Sequence, residues 1–289
     1  MAKLPLSQLI NGHARLHAGE LRAAVSGSTV LVTGASFGIG EATTRHLVAA
    51  GATVLAVART ADRLDELAAE LADRDGSVVV LPCDLTDFDA VGELGARVLA
   101  DHGPPDVLVN NAGRSIRRSI ADSTDRFHDF QRTIDINYLA PVRLTLALLP
   151  AMRERGSGHL VAISTSGVRG LPAAPGWSAY QSSKAAFDTW TRSVAQEISS
   201  DGVATTSVYF GLVRTRMSAP TAGFNAIPGQ SPKAAGWMVC DAIVHRPRSA
   251  GPWWIGPADV VTNGVLRRPT EAVLTHAFRR GEKGRSREA

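Results

Sequence analysis

Short runs of β-branched and apolar residues recur along most of the chain, and between them the apolar positions return with helical spacing. STVLVTG (28–34), ATVLAVAR (52–59), SVVVLPCD (77–84), PDVLVNNAG (105–113), GHLVAIS (158–164) and VATTSVYF (203–210) predict six strands. Their centres, VLV, VLAV, VVVL and VLV, are continuous instead of alternating, as strands covered on both faces of a parallel sheet should be. EATTRHLVAAG, LDELAAELAD (64–73) and a segment around 87–101 predict helices in the intervals. Strand and helix alternating through short connections make βαβ units. The expected fold is therefore α/β: a three-layer, doubly wound parallel sheet of about seven strands with helices on both faces, in a single domain. Residues 1–27 read as an N-terminal extension with one short helical stretch, 28–265 as the sheet domain, and 266–289 as a C-terminal tail. After the sixth strand, RMSAPTAGFNAIPGQ (216–230) is broken by Pro and Gly. A helix start follows at Ser231-Pro232, an N-cap with proline at the first helical position. An aperiodic excursion of that length is more often functional than idle, so 216–245 is read as a substrate lid.

Composition narrows the class. The chain has 289 residues, 44% of them apolar and 20% charged, enough to bury a sizeable core without a metal or disulfide staple. Its two cysteines, Cys83 and Cys240, form neither a disulfide framework nor a metal-ligand spacing; no metal site is expected. The net charge of +4 invites a nucleic-acid reading, but residues 267–289 alone hold seven Arg/Lys against three Glu. That basic tail is read as a solvated end in preference to a foothold on nucleic acid or on a membrane surface. No apolar run reaches the roughly 18 residues of a membrane span, and MAKLPLSQLINGHARLH lacks the apolar segment of a secretory signal. A cytoplasmic location is expected.

The first chemical motif is TGASFGIG (33–40), which leaves the first strand and enters a helix. Gly34, Gly38 and Gly40 stand where a tight turn, a close phosphate approach and close helix–strand packing each exclude a Cβ. Ser36, Phe37 and Ile39 complete the turn, and the helix behind it offers its first N–H groups to a pyrophosphate. A carboxylate at the end of strand two would grip a ribose 2′-hydroxyl and repel a 2′-phosphate. Ala58 and Arg59 stand there instead, which favours NADP(H) over NAD(H). A second cation within the glycine turn is missing, because Phe37 occupies its place.

Further motifs follow in order: Asp84 in CDLTD, NNAG at 110–113, Asn137 in DINYLA, Tyr180-x-x-x-Lys184, and Thr215 after strand six. Together with the glycine turn, over roughly residues 28–216, the chain resembles the short-chain dehydrogenases/reductases. The resemblance implies a Rossmann fold, with Asp84 and Leu85 at the adenine and Asn111, Ala112 and Gly113 along the cofactor cleft. It also implies Gly211, Val213 and Thr215 at the nicotinamide, Lys184 on the nicotinamide ribose, and Asn137 in a proton relay through water. The chemistry agrees with the residue types. Tyr180 and Lys184 share a helix face. A free phenol is only about 0.1% ionised at pH 7, so Tyr180 needs the neighbouring ammonium and an oxidised nicotinamide to act as a base. In the reducing direction the neutral phenol donates its proton to a carbonyl oxygen.

Two departures from the family pattern stand out. The substrate-orienting serine is usual thirteen residues before the tyrosine, but position 167 is Gly. Counting from strand five selects Thr165; taking the serine nearest the usual spacing selects Ser166, and either hydroxyl could polarise a substrate oxygen. Phe210-Gly211 replaces the common Pro-Gly. NNAGRSIRRSI, DRFHDFQRTIDINYLAPVRL and the FGLVRTRM…APT segment are most similar to an actinobacterial branch whose members resemble fatty acyl-CoA reductases. That implies a lipophilic or acyl-derived carbonyl or alcohol substrate, under a lid carrying Met217, Phe224 and Ile227. Arg114, Arg117 and Arg118 read as a solvated basic turn, with contact to an anionic carrier as the alternative. Two other readings stay open, an oxoacyl or polyketide-type ketoreductase and a non-catalytic NADPH sensor. The family's habit of pairing through helices near 137–150 and 178–199 implies a homodimer or homotetramer.

Overall fold

The computed structural model describes residues 14, 16–221 and 223–288. In chain order they form α1 (Ala18–Val25), β1 (Thr29–Thr33), α2 (Gly38–Ala49), β2 (Thr53–Ala58), α3 (Ala61–Glu70), β3 (Ser77–Pro82), α4 (Phe88–His102) and β4 (Val107–Asn110). Then come α5 (Phe127–Ile134), α6 (Ala140–Arg155), β5 (Gly158–Thr165), α7 (Ser178–Ile198), β6 (Val203–Phe210), α8 (Pro232–His245), β7 (Ser249–Ala250), α9 (Ile255–Asp259) and α10 (Arg267–Glu288). The sheet has seven strands, all parallel, in the order β3-β2-β1-β4-β5-β6-β7.

The continuous apolar runs have a direct structural cause. Side chains alternate across a strand, and both faces here are covered. Val30, Val32, Val54, Ala56, Val107, Val109 and Val161 belong to one buried cluster, which includes Leu47 and Val48 of α2 and Met238 and Val239 of α8. Their neighbours Leu31, Leu55, Val57, Leu108 and Leu160 belong to the other, with Val91 and Leu94 of α4 and Leu144, Leu148 and Met152 of α6. Three layers result.

Part of the N-terminal extension joins this core: Leu16, Leu21 and Val25 are buried in the first cluster, and the Trp237 indole donates to the Leu16 carbonyl at 3.1 Å. Residues 1–13 and 15 of the extension lie outside the described residues. The expected N-cap is present, Ser231 Oγ accepting from the Ala234 N–H at 3.2 Å. The helix it starts is a core helix, with Ala235, Met238, Val239 and Ile243 buried. The lid expected over 216–245 therefore narrows to the segment before α8. The expected tail is also regular, since α10 runs through most of it.

Candidate active site

Strand order reverses between β1 and β4, and in an open parallel sheet that reversal opens a crevice at the strands' carboxyl ends. The glycine turn leaves β1 there. Gly34 and Gly38 have φ of +69° and +63°, the left-handed region that glycine alone enters freely. A Cβ on Gly40 would stand 2.3 Å from the Gly34 carbonyl oxygen and 2.5 Å from Asn111 Nδ2. Helix α2 thus sits against the turn at a distance only glycine permits. No side chain caps the start of α2, which leaves its leading N–H groups to the crevice. Ser36 and Ile39 lie on this turn, half-buried.

The NNAG turn braces that loop from the neighbouring strand. Thr33 Oγ1 accepts from the N–H groups of Asn111 and Ala112, both at 3.0 Å, and donates to the Val109 carbonyl at 3.2 Å. Asn111 Nδ2 donates to the Thr33 carbonyl at 2.8 Å. Thr33, which opens the TGASFGIG motif, thus ties the two turns together, a role that the motif's glycines do not announce. On the far side, Thr215 reaches the turn from the end of β6. A Cβ on Gly38 would meet Thr215 Cγ2 at 3.2 Å. Gly211 and Val213 lie on the chain leading to it, where Val213 pairs with Gln230.

Cations gather on the outer side of the crevice. Arg59 is exposed at the end of β2. Burial pushes the Asp84 carboxyl up, but hydrogen bonds from Thr86 (Oγ1 at 2.8 Å, N–H at 3.0 Å) and the charges of Arg59 and Arg114 hold it below the usual carboxylate range. Leu85 beside it is buried. Phe37, which displaces a cation in the sequence motif, receives two through space: Arg216 Cζ lies 3.9 Å from its ring centroid and Arg63 Cζ 5.1 Å. Neither arginine was legible as part of this site, because one comes from α3 and the other from beyond β6.

The candidate hydroxyls lie on the other side. Thr165 is the last residue of β5 and Tyr180 lies in the first turn of α7, which brings the Thr165 hydroxyl near enough to the phenol to act on its pKa. Burial raises the Tyr180 pKa and the Thr165 hydroxyl pulls it partly back. Lys184, one turn on, is buried and donates to the Ile163 carbonyl at 2.9 Å. Burial lowers its pKa to about 8, so it stays mostly protonated at neutral pH. Ser166 is buried one residue beyond, its N–H held by the Phe210 carbonyl at 2.8 Å. Ser164 is buried too, with a hydroxyl that has no hydrogen-bond partner among the described residues.

The displaced serine spacing also has a local reason. Gln181 spans the loop between β5 and α7, donating from Nε2 to the Gly167 carbonyl at 3.2 Å and accepting from the Ala174 N–H at 2.9 Å. A Cβ on residue 167 would lie 2.6 Å from Gln181 Nε2. Glycine at 167 makes room for that brace.

Asn137 sits in a π-helical turn, Asp135–Leu139, between α5 and α6. Such turns interrupt the regular ladder and often mark functional sites. Its side chain makes three hydrogen bonds: Oδ1 accepts from the Arg114 N–H, and Nδ2 donates to the Arg114 carbonyl and to Ser183 Oγ, all at 2.9 Å. A Cβ on Gly113 would stand 2.8 Å from Asn137 Oδ1 and 3.3 Å from Lys184 Nζ, so the NNAG turn, Asn137 and Lys184 are one contact group. Of the basic turn after NNAG, Arg118 pairs with the buried carboxylate of Asp129 at 3.0 Å. Arg117 lies over the Trp177 ring at 5.9 Å. Trp177 in turn meets Tyr180 edge-on at 5.9 Å and stacks on Phe224, from the segment before α8, at 5.8 Å with 7° between planes. An aromatic wall therefore adjoins the phenol.

Comparison with known proteins places these features in context. A family model described as short chain dehydrogenase matches residues 28–224. A fatty acyl-CoA reductase of Acinetobacter baylyi is 45% identical over 224 residues, covering 78% of this chain and 75% of that protein. A fatty acyl-CoA reductase of Mycobacterium tuberculosis is 41% identical over 261 residues, covering 86% of each. A metagenomic short-chain oxidoreductase, solved in complex with NADP, superposes with a TM-score of 0.66 at 30% identity, covering 76% of this chain and 92% of that one.

Proposed function

The chain belongs to the short-chain dehydrogenase family, and on that premise we propose that it is an NADP(H)-dependent oxidoreductase acting between a carbonyl and an alcohol on a lipophilic, acyl-derived substrate. The observation that carries the reading is the placement of Tyr180 in the first turn of α7, one helical turn from the buried Lys184 ammonium and with the Thr165 hydroxyl near enough to lower the phenol's pKa. A carbonyl oxygen placed between the two hydroxyls accepts a hydrogen bond from Thr165 and a proton from Tyr180. Lys184 adds positive charge that favours the phenolate left behind. When bound, the cofactor supplies or takes up the hydride. The residues present suit it: glycines where a Cβ would collide, an uncapped helix start, and Arg59 with no carboxylate at the end of β2. The stacked Trp177 and Phe224 suit an apolar chain, and two relatives carry the name fatty acyl-CoA reductase. A NADPH-consumption screen over aldehydes, ketones and acyl-CoAs of graded chain length tests this reading. Turnover should rise with chain length, and turnover confined to short polar ketones would overturn the lipophilic assignment.

Two substitutions sharpen the assignment. Thr165→Val should lower turnover by roughly ten- to a hundredfold, as loss of a charge-stabilising hydrogen bond does. Ser166→Ala should stay within a few-fold of the parent, and the reverse ranking would move the orienting role to Ser166. Arg59→Ala should raise the KM for NADPH by roughly ten- to a hundredfold while leaving that for NADH nearly unchanged. Equal losses with both cofactors would exclude a contact to the 2′-phosphate.

A further inference from the structure

The helical turns ahead of α10 are amphipathic in the reverse of the usual sense. Between Ile255 and Val265 the positions facing the protein are Ile255, Asp259 and Thr262, which share one helix face by spacing. Ile255 lies under the loop between β5 and α7, where a Cβ on Gly170 would stand 3.0 Å from Ile255 Cα. Asp259 accepts from the Gly170 N–H at 3.3 Å and pairs with Arg169 at 3.7 Å. Thr262 donates to the Gly170 carbonyl at 3.4 Å. Val260 and Val265 point away from these contacts and are 66% and 81% exposed. Trp253 before them is 73% exposed, and Val261, Leu266 and Val273 are exposed as well. A protein surface rarely keeps so many large apolar side chains together without a partner. The same strip runs into α10, whose region 267–289 carries seven Arg/Lys against three Glu.

We propose that this segment docks the protein on an anionic lipid surface. The exposed valines and Trp253 would enter the boundary between headgroups and acyl chains, and the basic helix would supply attraction to lipid phosphates. An apolar strip beside concentrated positive charge is the composition of interfacial helices. A second copy of the chain is the poorer occupant, because symmetric pairing through this strip would bring the like charges of two basic helices together. The docking surface is tied through Asp259 and Thr262 to residues 169–170, on the loop that leads from Thr165 to Tyr180. Docking would therefore set the mouth of the active site against the lipid. The proposal is independent of the substrate assignment above.

The test is co-sedimentation of the full chain with vesicles of phosphatidylcholine containing phosphatidylglycerol, alongside vesicles of phosphatidylcholine alone. Binding is expected to the anionic vesicles at low salt and to fall at high salt. The double variant Val260→Asp, Val265→Asp should weaken it by roughly tenfold or more. Both side chains are exposed, so NADPH binding measured by fluorescence should be unchanged. Absence of vesicle binding overturns the proposal, as does binding that the double variant leaves intact. Binding to duplex DNA as tight as to the anionic vesicles would show that charge alone acts, and also overturns it. A change in sedimenting species on substitution, without vesicle binding, would assign the strip to a second copy. Loss of NADPH binding by the parent chain would count against the catalytic reading and leave the vesicle result standing.

Discussion

Replacing Tyr180 by Phe is expected to lower turnover by about 10²–10⁴-fold, the range that a positioned general acid contributes, while NADPH still binds. The substitution deletes one oxygen and keeps the ring, so the edge-on contact with Trp177 at 5.9 Å survives. Ser183 is also unaffected, since it donates to the Tyr180 backbone carbonyl and not to the phenol. The loss is thus confined to the phenol oxygen, with its proton and its contact to the Thr165 hydroxyl. Burial raises the phenol's pKa, which keeps it protonated at neutral pH and suits it to donate. The reverse reaction needs the phenolate, so its rate should rise with pH where the reducing rate does not. Fluorescence titration of NADPH and stopped-flow turnover measure the two halves separately. Activity within tenfold of the parent would exclude Tyr180 as the donor, and loss of NADPH binding along with turnover would show a structural defect instead.

The parts of this site that were legible beforehand are those set by local physics. Buried parallel strands announce themselves as continuous apolar runs, and VATTSVYF coincides with β6 to the residue. PDVLVNNAG (105–113) overruns the strand it predicts, which is Val107–Asn110. The strand stops at Asn110 because the next N–H turns back to Thr33 Oγ1, a contact 78 positions away in sequence. The two residues of β7 have no pattern to read, and the apolar outward face before α10 could not be separated from an ordinary buried face without knowing which side meets the protein. Contacts that cross the fold were equally silent. Phe37 looked like a lost cation until Arg63 and Arg216 came over its ring, and Trp177 had no role until Phe224 stacked on it. The reason that position 167 is glycine lies in Gln181, whose brace over that residue is invisible to spacing.

Acid should destabilise the fold well before its carboxylates titrate, and His159 is the reason. The ring is fully buried at the start of β5 and meets Thr206 Oγ1 at 2.8 Å. That hydroxyl donates to the Pro247 carbonyl, so it accepts from His159 Nε2–H. Burial first, and the Arg246 charge second, lower its pKa to about 3 against a weaker opposing pull from the Ile243 backbone. Below the unfolded value of about 6.5, the unfolded chain takes up a proton that the native state refuses. Stability is therefore complete above about pH 7 and falls with acid through the window from about 6.5 to 3. At about 1.4 kcal/mol per pH unit the loss reaches about 5 kcal/mol at the lower end, a large part of a typical domain's stability. His46 is lowered by burial too and adds in the same direction. Asp129, whose pKa is held below 3.8 by Arg126 and Arg118 against its burial, contributes only at the bottom of the window. Urea unfolding midpoints measured from pH 7.5 to 4.5 should therefore slope downward with acid. In His159→Gln, where an amide can still donate to Thr206, most of that slope should disappear. A parent profile that is flat across this range would mean that the ring takes up its proton inside the folded protein.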